Sequence, residues 1–130
     1  MNKPVILCVD DEPDILNTLK IQLKNEFKDD YFYELAESSD EALDLLEDFQ
    51  EEAQVIVVVS DWLMPGIKGD ELLIKFHQKY PKIVKVMLTG QADAAALQRA
   101  VKEADLSCCL YKPWKTKDLI ETIKSGLAKL

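Results

Sequence analysis

Four apolar runs in this chain end in residues able to bind a cation or move a phosphoryl group. Val5–Val9 is followed by Asp10, Asp11 and Glu12, and Val55–Val59 by Ser60 and Asp61. Ile83–Leu88 is followed by Thr89 and Gly90, and Leu106–Tyr111 by Lys112 and Pro113. If these runs are strands of one parallel sheet, the loops after them converge on one edge. Several carboxylates, a hydroxyl and an ammonium then meet in a small cleft. Singly, each has an ordinary reading: an Asp after a strand is often a helix cap, and a lone Thr or Lys in a loop is usually solvated. Together they are different, because like charges a few ångströms apart are costly without a counter-charge. Lys112 and a divalent cation supply that relief. Mg²⁺ takes oxygen ligands, keeps several waters and bridges carboxylates to phosphate. A carboxylate in such a place can act as a nucleophile, and Asp61 is the candidate. The Thr89 hydroxyl and the Lys112 ammonium can then stabilise the transferred oxygens.

The elements that must position these groups follow from periodicity. The runs Val5–Val9, Tyr31–Ala36, Val55–Val59, Ile83–Leu88 and Leu106–Tyr111 read as strands. Continuous β-branched runs suit a parallel sheet covered on both faces, whereas the alternating second run, with Glu34, suits an edge. Between and after them lie stripes at helical spacing: Ile15, Leu16, Leu19, Leu23 and Phe27; Ala42, Leu45, Leu46 and Phe49; Leu72, Leu73, Phe76 and Tyr80; Leu97, Ala100, Val101 and Ala104; Leu119, Ile120, Ile123, Leu127 and Leu130. Pro13 suits a first helical turn, Ser38 with Glu41 resembles a capping box, Thr116 reads as an N-cap and Pro81 as a stop. The pattern is α/β, (βα)₅, doubly wound, with right-handed crossovers putting helices on both faces. The Rossmann order and the flavodoxin-like order 2-1-3-4-5 both fit it. The simplest parse is one domain, residues 1–130.

The composition narrows the function. The chain has 130 residues, 48% hydrophobic and 31% charged, and a formal net charge of −8. That balance supports a packed core, and the acidity disfavours direct nucleic-acid binding, which relies on Lys and Arg at phosphates. No apolar run approaches the ~20 residues of a membrane span, and the start lacks a signal-peptide pattern. Three cysteines, Cys8, Cys108 and Cys109, lie in apolar runs, which suggests reduced, mostly buried thiols and a cytoplasmic setting.

Ile6-Leu7-Cys8-Val9-Asp10-Asp11-Glu12, Ser60 to Gly69, Met87-Leu88-Thr89-Gly90 and Tyr111-Lys112-Pro113 together resemble a two-component response-regulator receiver domain, over the whole chain and in the right order. The resemblance implies the order 2-1-3-4-5. It implies that Asp61 accepts phosphate from a phosphohistidine of a sensor histidine kinase or phosphotransfer protein. Mg²⁺ would be held directly by Asp11 and Asp61, by the main-chain carbonyl of Leu63, and by Asp10 largely through water. Thr89 and Lys112 would hold the phosphoryl oxygens, and a cis peptide would precede Pro113. Such a module is not an enzyme beyond its own phosphorylation and dephosphorylation. It signals through the face of the fourth helix, fifth strand and fifth helix to an output domain or effector, with a homodimer through that face as one option. The fourth and fifth segments are also similar in flavour to receivers attached to enzymatic outputs.

The chain departs from that pattern at Cys109, where many receivers carry an aromatic that swings inward on phosphorylation. Tyr111 is expected on the opposite strand face, so the signal is expected to rely on the loop after Thr89 and on the fourth helix. Leu63 and Gln91 occupy positions that tune phosphate lifetime, and they suggest modest autodephosphorylation. Other conspicuous residues read plainly. His77 is expected in solvent, Trp62 at the cleft rim, and Trp114 against Lys112-Pro113 or as an anchor for a partner. The acidic run Glu47–Glu52 is expected to be a solvated helix end. Three competing functions fit less well. A hydrolase-type phosphotransferase would want an Asp at Leu63, a flavodoxin-like cofactor binder would want a glycine-rich first loop, and a pseudo-receiver would not need the full set of Asp10, Asp11, Asp61, Thr89 and Lys112.

Overall fold

Val5, Ile6, Leu7, Cys8 and Val9 are all buried, as a strand covered on both faces requires. In the computed structural model, which describes residues 3–48, 55–90 and 94–129, this strand is β1 (Val5–Val9). It is followed by α1 (Pro13–Phe27), a 3₁₀ turn (Lys28–Asp30), β2 (Phe32–Ala36), α2 (Ser39–Asp48), β3 (Val55–Asp61) and α3 (Gly69–Lys79). Then come β4 (Val84–Thr89), α4 (Ala94–Ala104), β5 (Cys108–Tyr111) and α5 (Thr116–Ala128). The strands form one parallel sheet in the order β2-β1-β3-β4-β5. The flavodoxin-like order therefore holds and the Rossmann order does not.

Alternation along the strands builds two cores. Val5, Leu7, Val9, Val58 and Met87 pack under α2, α3 and α4, with Ala42, Leu46, Leu72, Leu73 and Phe76. Ile6, Cys8, Val57, Val59, Val86 and Leu88 pack under α1 and α5, with Leu16, Leu19, Leu23, Leu119 and Ile123. All three thiols are free, and β1 and β5 are not neighbours. Burial pushes the Cys8 thiol up to about 12. Among the described residues no helix is long and apolar enough to cross a membrane.

Several local expectations change. In α4 the buried residues are Ala96, Ala100 and Ala104, while Val101 is 57% exposed. An alanine at every fourth position lets α4 lie close, so the small side chains, not the larger valine, define its inner face. Thr116 is the first residue of α5, and the preceding Lys115 supplies no side-chain cap. The Ser38 hydroxyl does accept the Glu41 N–H at 3.1 Å, but Glu41 returns to the Glu37 N–H rather than to that of Ser38. Phe49, Leu130, Gln91 and most of the acidic run lie outside the described residues.

Lys85, inside what reads as an apolar run, is 1% exposed. Its Nζ donates to the carbonyls of Ile83 (2.7 Å) and Pro81 (3.3 Å), which satisfies a buried ammonium with neutral dipoles. Burial lowers its pKa from the ordinary 10.5. The unfolded chain therefore binds this proton more tightly, and stability rises with pH from the lowered value up to 10.5. Replacing Lys85 by Met should abolish that part of the slope, a difference that urea melts of both proteins across the alkaline range would measure.

Lys28 ends α1 at φ 54°, ψ −132°, a region that glycine occupies at little cost and other residues do not. Lys28→Gly should stabilise the fold by about 0.5–1 kcal/mol, since relief of strain exceeds the added freedom of the unfolded chain. A shift of the urea midpoint to higher concentration, with an unchanged slope, is the expected result.

Candidate functional site

The carboxyl ends of β1, β3, β4 and β5 carry the four groups singled out by type. Asp10 continues β1, and its N–H donates to Ala36 at 3.1 Å, so its fully buried side chain is fixed at the sheet edge. One carboxylate oxygen, Oδ1, accepts the Glu12 N–H at 2.9 Å. The other, Oδ2, accepts from Lys112 Nζ at 2.9 Å. Asp61 ends β3 at 6% exposure, and its Oδ1 lies 3.1 Å from the same Nζ. Asp11 is exposed beside them, and ligand oxygens of Asp10, Asp11 and Asp61 all lie within 4.8 Å of one another. Thr89 ends β4 at 1% exposure, and its carbonyl accepts the Lys112 N–H at 2.8 Å. This contact seats the lysine where β5 ends. The peptide between Lys112 and Pro113 is cis.

Asp11, Asp61, Thr89 and Lys112 border a cleft of about 650 Å³, which Leu63, Met64 and Pro65 also line. Leu63 is half exposed on the rim, while Met64 drops into the core at 5% exposure. The loop is closed by Gly69, whose N–H donates to the Trp62 carbonyl at 2.8 Å. A Cβ at Gly69 would clash with the Asp61 carbonyl oxygen and lie 2.9 Å from Trp62 Cα, so only glycine lets α3 start this close to the strand. A larger groove, about 790 Å³, lies at the other end of the sheet among Ile83, Asp105, Glu121 and Lys129. It has no comparable convergence of like charge.

Electrostatics distinguishes the members of the cluster. Burial pushes the Asp61 carboxyl up, the Asp10 charge adds to this, and Lys112 only partly opposes it. Burial alone would lower the Lys112 ammonium. Its hydrogen bonds and ion pairs with Asp10 and Asp61 outweigh that effect, and the net shift is upward. The stability that Lys112 contributes is therefore present at neutral pH and is lost only as pH climbs through its raised value.

Other readings are corrected. Trp62 is not on the rim. It is 8% exposed, packs in the core beneath α3, and donates its indole N–H to Asp70 Oδ1 at 3.2 Å. Lys68 lies over its ring at 5.1 Å, and Asp70 Oδ2 faces Arg99 on α4 at 4.0 Å. Sequence reasoning missed this Asp70; its one signal was an acidic residue in the first turn of a helix. His77 is half-buried rather than solvated, and its Nδ1 is buried without a hydrogen-bond partner. Tyr111 shares a face with Cys109, because residues two apart in a strand point the same way. Cys109 sits opposite Met87 and Tyr111 opposite Thr89. Trp114 packs against the α1–α5 core and donates its indole N–H to Gln22 Oε1 at 2.9 Å.

A doubly wound sheet with an acidic cleft and one lysine at its carboxyl edge defines the class of protein. The model of the response regulator receiver domain family matches residues 6–124, and the chain belongs to that family, a module of two-component signalling. It is similar to the signal receiver domain of an HD domain-containing protein from Pseudomonas fluorescens Pf-5, with 30% identity and a TM-score of 0.86, covering 98% of this chain and 97% of that one. A CheY-like receiver domain protein from Methanospirillum hungatei JF-1 gives 30% identity and a TM-score of 0.84, covering 98% and 96%. The hydrogenase transcriptional regulatory protein HoxA of Cupriavidus necator is 31% identical over 122 residues, which are 94% of this chain. The chain spans 24% of that regulator's length.

Because the ionised Asp61 is disfavoured in the folded state, Asp61→Asn should raise the melting temperature of the metal-free protein by roughly 2–6 °C, the range that ~1 kcal/mol produces at this size. Calorimetry in EDTA measures it.

Proposed function

We propose that the chain is a phosphoacceptor switch, in which Asp61 takes a phosphoryl group from the phosphohistidine of a sensor histidine kinase or phosphotransfer protein. The observation that carries this reading is the single Lys112 ammonium reaching Asp10 Oδ2 at 2.9 Å and Asp61 Oδ1 at 3.1 Å. It is already placed to follow charge from the carboxylate to the incoming phosphoryl oxygens. A carboxylate oxygen of Asp61 bonds to phosphorus as the bond from phosphorus to the donor imidazole nitrogen breaks. Lys112 and the Thr89 hydroxyl bind the transferred oxygens, a stabilisation that grows with the charge on them.

The donor set fits Mg²⁺: only oxygen atoms, three carboxylates within 4.8 Å, and a single ammonium for counter-charge. Asp11, Asp61 and the Leu63 main-chain carbonyl would hold the ion directly, and Asp10 largely through water. When bound, the ion neutralises the phosphoryl oxygens and relieves the repulsion among the carboxylates.

In this reading the chain's own chemistry is limited to gaining and losing its phosphoryl group, with no substrate turnover and modest autodephosphorylation. Residues 1–130 act as one domain, cytoplasmic, without direct contact to nucleic acid or membrane. The output is an effector or attached domain reached through the face of α4, β5 and α5, which is also the surface for any homodimer.

Incubation with a small phosphodonor and Mg²⁺ should add the mass of one phosphoryl group to the wild type and none to Asp61→Ala. Equal labelling of the variant, or steady turnover of phosphomonoesters, would overturn the assignment. Millimolar Mg²⁺ should also raise the melting temperature, since the ion binds the folded cluster only. The shift should shrink in Asp61→Ala.

A further inference from the structure

The lysine that reads the phosphoryl group stands on a short loop. Four residues, Lys112 to Lys115, separate β5 from α5. On the strand side the loop is held by the Lys112 N–H on the Thr89 carbonyl. On the helix side the side chain of Trp114 lies against α1, and its indole N–H donates to Gln22 Oε1 at 2.9 Å. Ile15, Thr18 and Gln22 present one face of α1, at the spacing i, i+3, i+7. With Lys112, Pro113 and Trp114 they surround an apolar pocket of about 350 Å³. The indole is therefore not gripped all round by packing, and the hydrogen bond to Gln22 supplies direction that the pocket walls do not.

The place where this bond attaches matters. α1 begins at Pro13, directly after Asp10, Asp11 and Glu12. A strap from Trp114 to α1 thus ties the root of the cation to the root of two of the carboxylates. Lysine is a point charge on a flexible four-carbon stem. In the resting protein the ammonium is committed to Asp10 and Asp61. During transfer it must reach new oxygens, and it can do so accurately only if its backbone stays still. Misplacement of a reacting group by a fraction of an ångström is enough to slow a reaction that depends on positioning.

We propose that Gln22 and Trp114 are positioning residues for Lys112: the indole-to-amide hydrogen bond fixes the loop after β5 to α1 and so sets the reach of the ammonium toward the phosphoryl group on Asp61. The inference rests on the phosphoacceptor reading above. Neither residue touches the reacting atoms, and both act through Lys112 alone.

The test is the rate of Asp61 phosphorylation by a small phosphodonor in saturating Mg²⁺, followed by intact mass on the full chain. Gln22→Leu, which removes the acceptor, should lower the limiting rate three- to tenfold, with the half-saturating donor concentration changed less than twofold. Trp114→Phe, which keeps an aromatic but removes the donor, should do the same, and the double variant should be no slower than either single one. Gln22→Glu, which keeps an acceptor oxygen, should recover most of the rate. In a Lys112→Met background, followed over hours, Gln22→Leu should cause no further loss. An unchanged rate in Gln22→Leu, equal loss in Gln22→Glu, or the same fractional loss in the Lys112→Met background would each overturn the proposal. Failure of the wild type to gain mass would instead overturn the phosphoacceptor reading itself.

Discussion

The site is organised by one ammonium between two buried carboxylates. Asp10, Asp11 and Asp61 bring three negative charges within 4.8 Å, and Lys112 returns one positive charge to Asp10 and Asp61. Three against one leaves two negative charges uncompensated, the complement of a divalent cation. Burial first, and the Asp10 charge second, push the Asp61 carboxyl up, so this placement costs the folded chain stability. Such a cluster persists only where the backbone leaves the side chains no alternative. Here Asp10, Asp61 and Lys112 are each fixed at the end of a strand, and adjacent strands stand about 4.8 Å apart. Asp10 and Lys112 are 102 residues apart in the chain, and only the parallel order of β1, β3, β4 and β5 brings them together.

The two ends of the sheet treat the same kind of side chain in opposite ways. At the amino end Lys85 is buried against the neutral carbonyls of Pro81 and Ile83, and its proton is held less tightly than in water. At the carboxyl end Lys112 is partly buried against carboxylates, and its proton is held more tightly. Burial works in the same direction at both sites. The partners decide the outcome, because full charges repay desolvation where carbonyl dipoles do not. A Lys112 that stays charged is a dependable ligand for anionic oxygens at any neutral pH.

The strands and the placement of four candidate site residues were legible because each depends on local pattern. Runs of buried valine and isoleucine mark the strands, and a polar residue at the end of such a run lands at the sheet edge whatever the rest of the chain does. Asp10, Asp61, Thr89 and Lys112 needed nothing more. Trp62 failed because its environment depends on Asp70, eight residues on and across a loop that turns the indole inward. The inner face of α4 was read rightly at Leu97, Ala100 and Ala104 but wrongly at Val101, where hydrophobicity favoured the valine and close approach favours Ala96. The strap between Gln22 and Trp114 joins residues 92 apart, and no periodicity announces such a pair.

The departure at Cys109 is geometrically sharper than its sequence suggested. The aromatic that many receivers carry at that place, swinging between inward and outward positions, would here sit opposite Met87. The thiol there is half-buried against the core under α2, α3 and α4, and it is too small to occupy two such positions. The aromatic of this chain, Tyr111, lies two residues nearer the cleft on the same face, paired with Thr89 and 59% exposed. It is therefore already outward, next to the hydroxyl rather than behind it. Thr89 faces Tyr111 directly across the strand pair. It is also joined to Lys112 by the bond from the Lys112 N–H to the Thr89 carbonyl. The hydroxyl, the exposed aromatic and the lysine thus stand along one edge of β4 and β5.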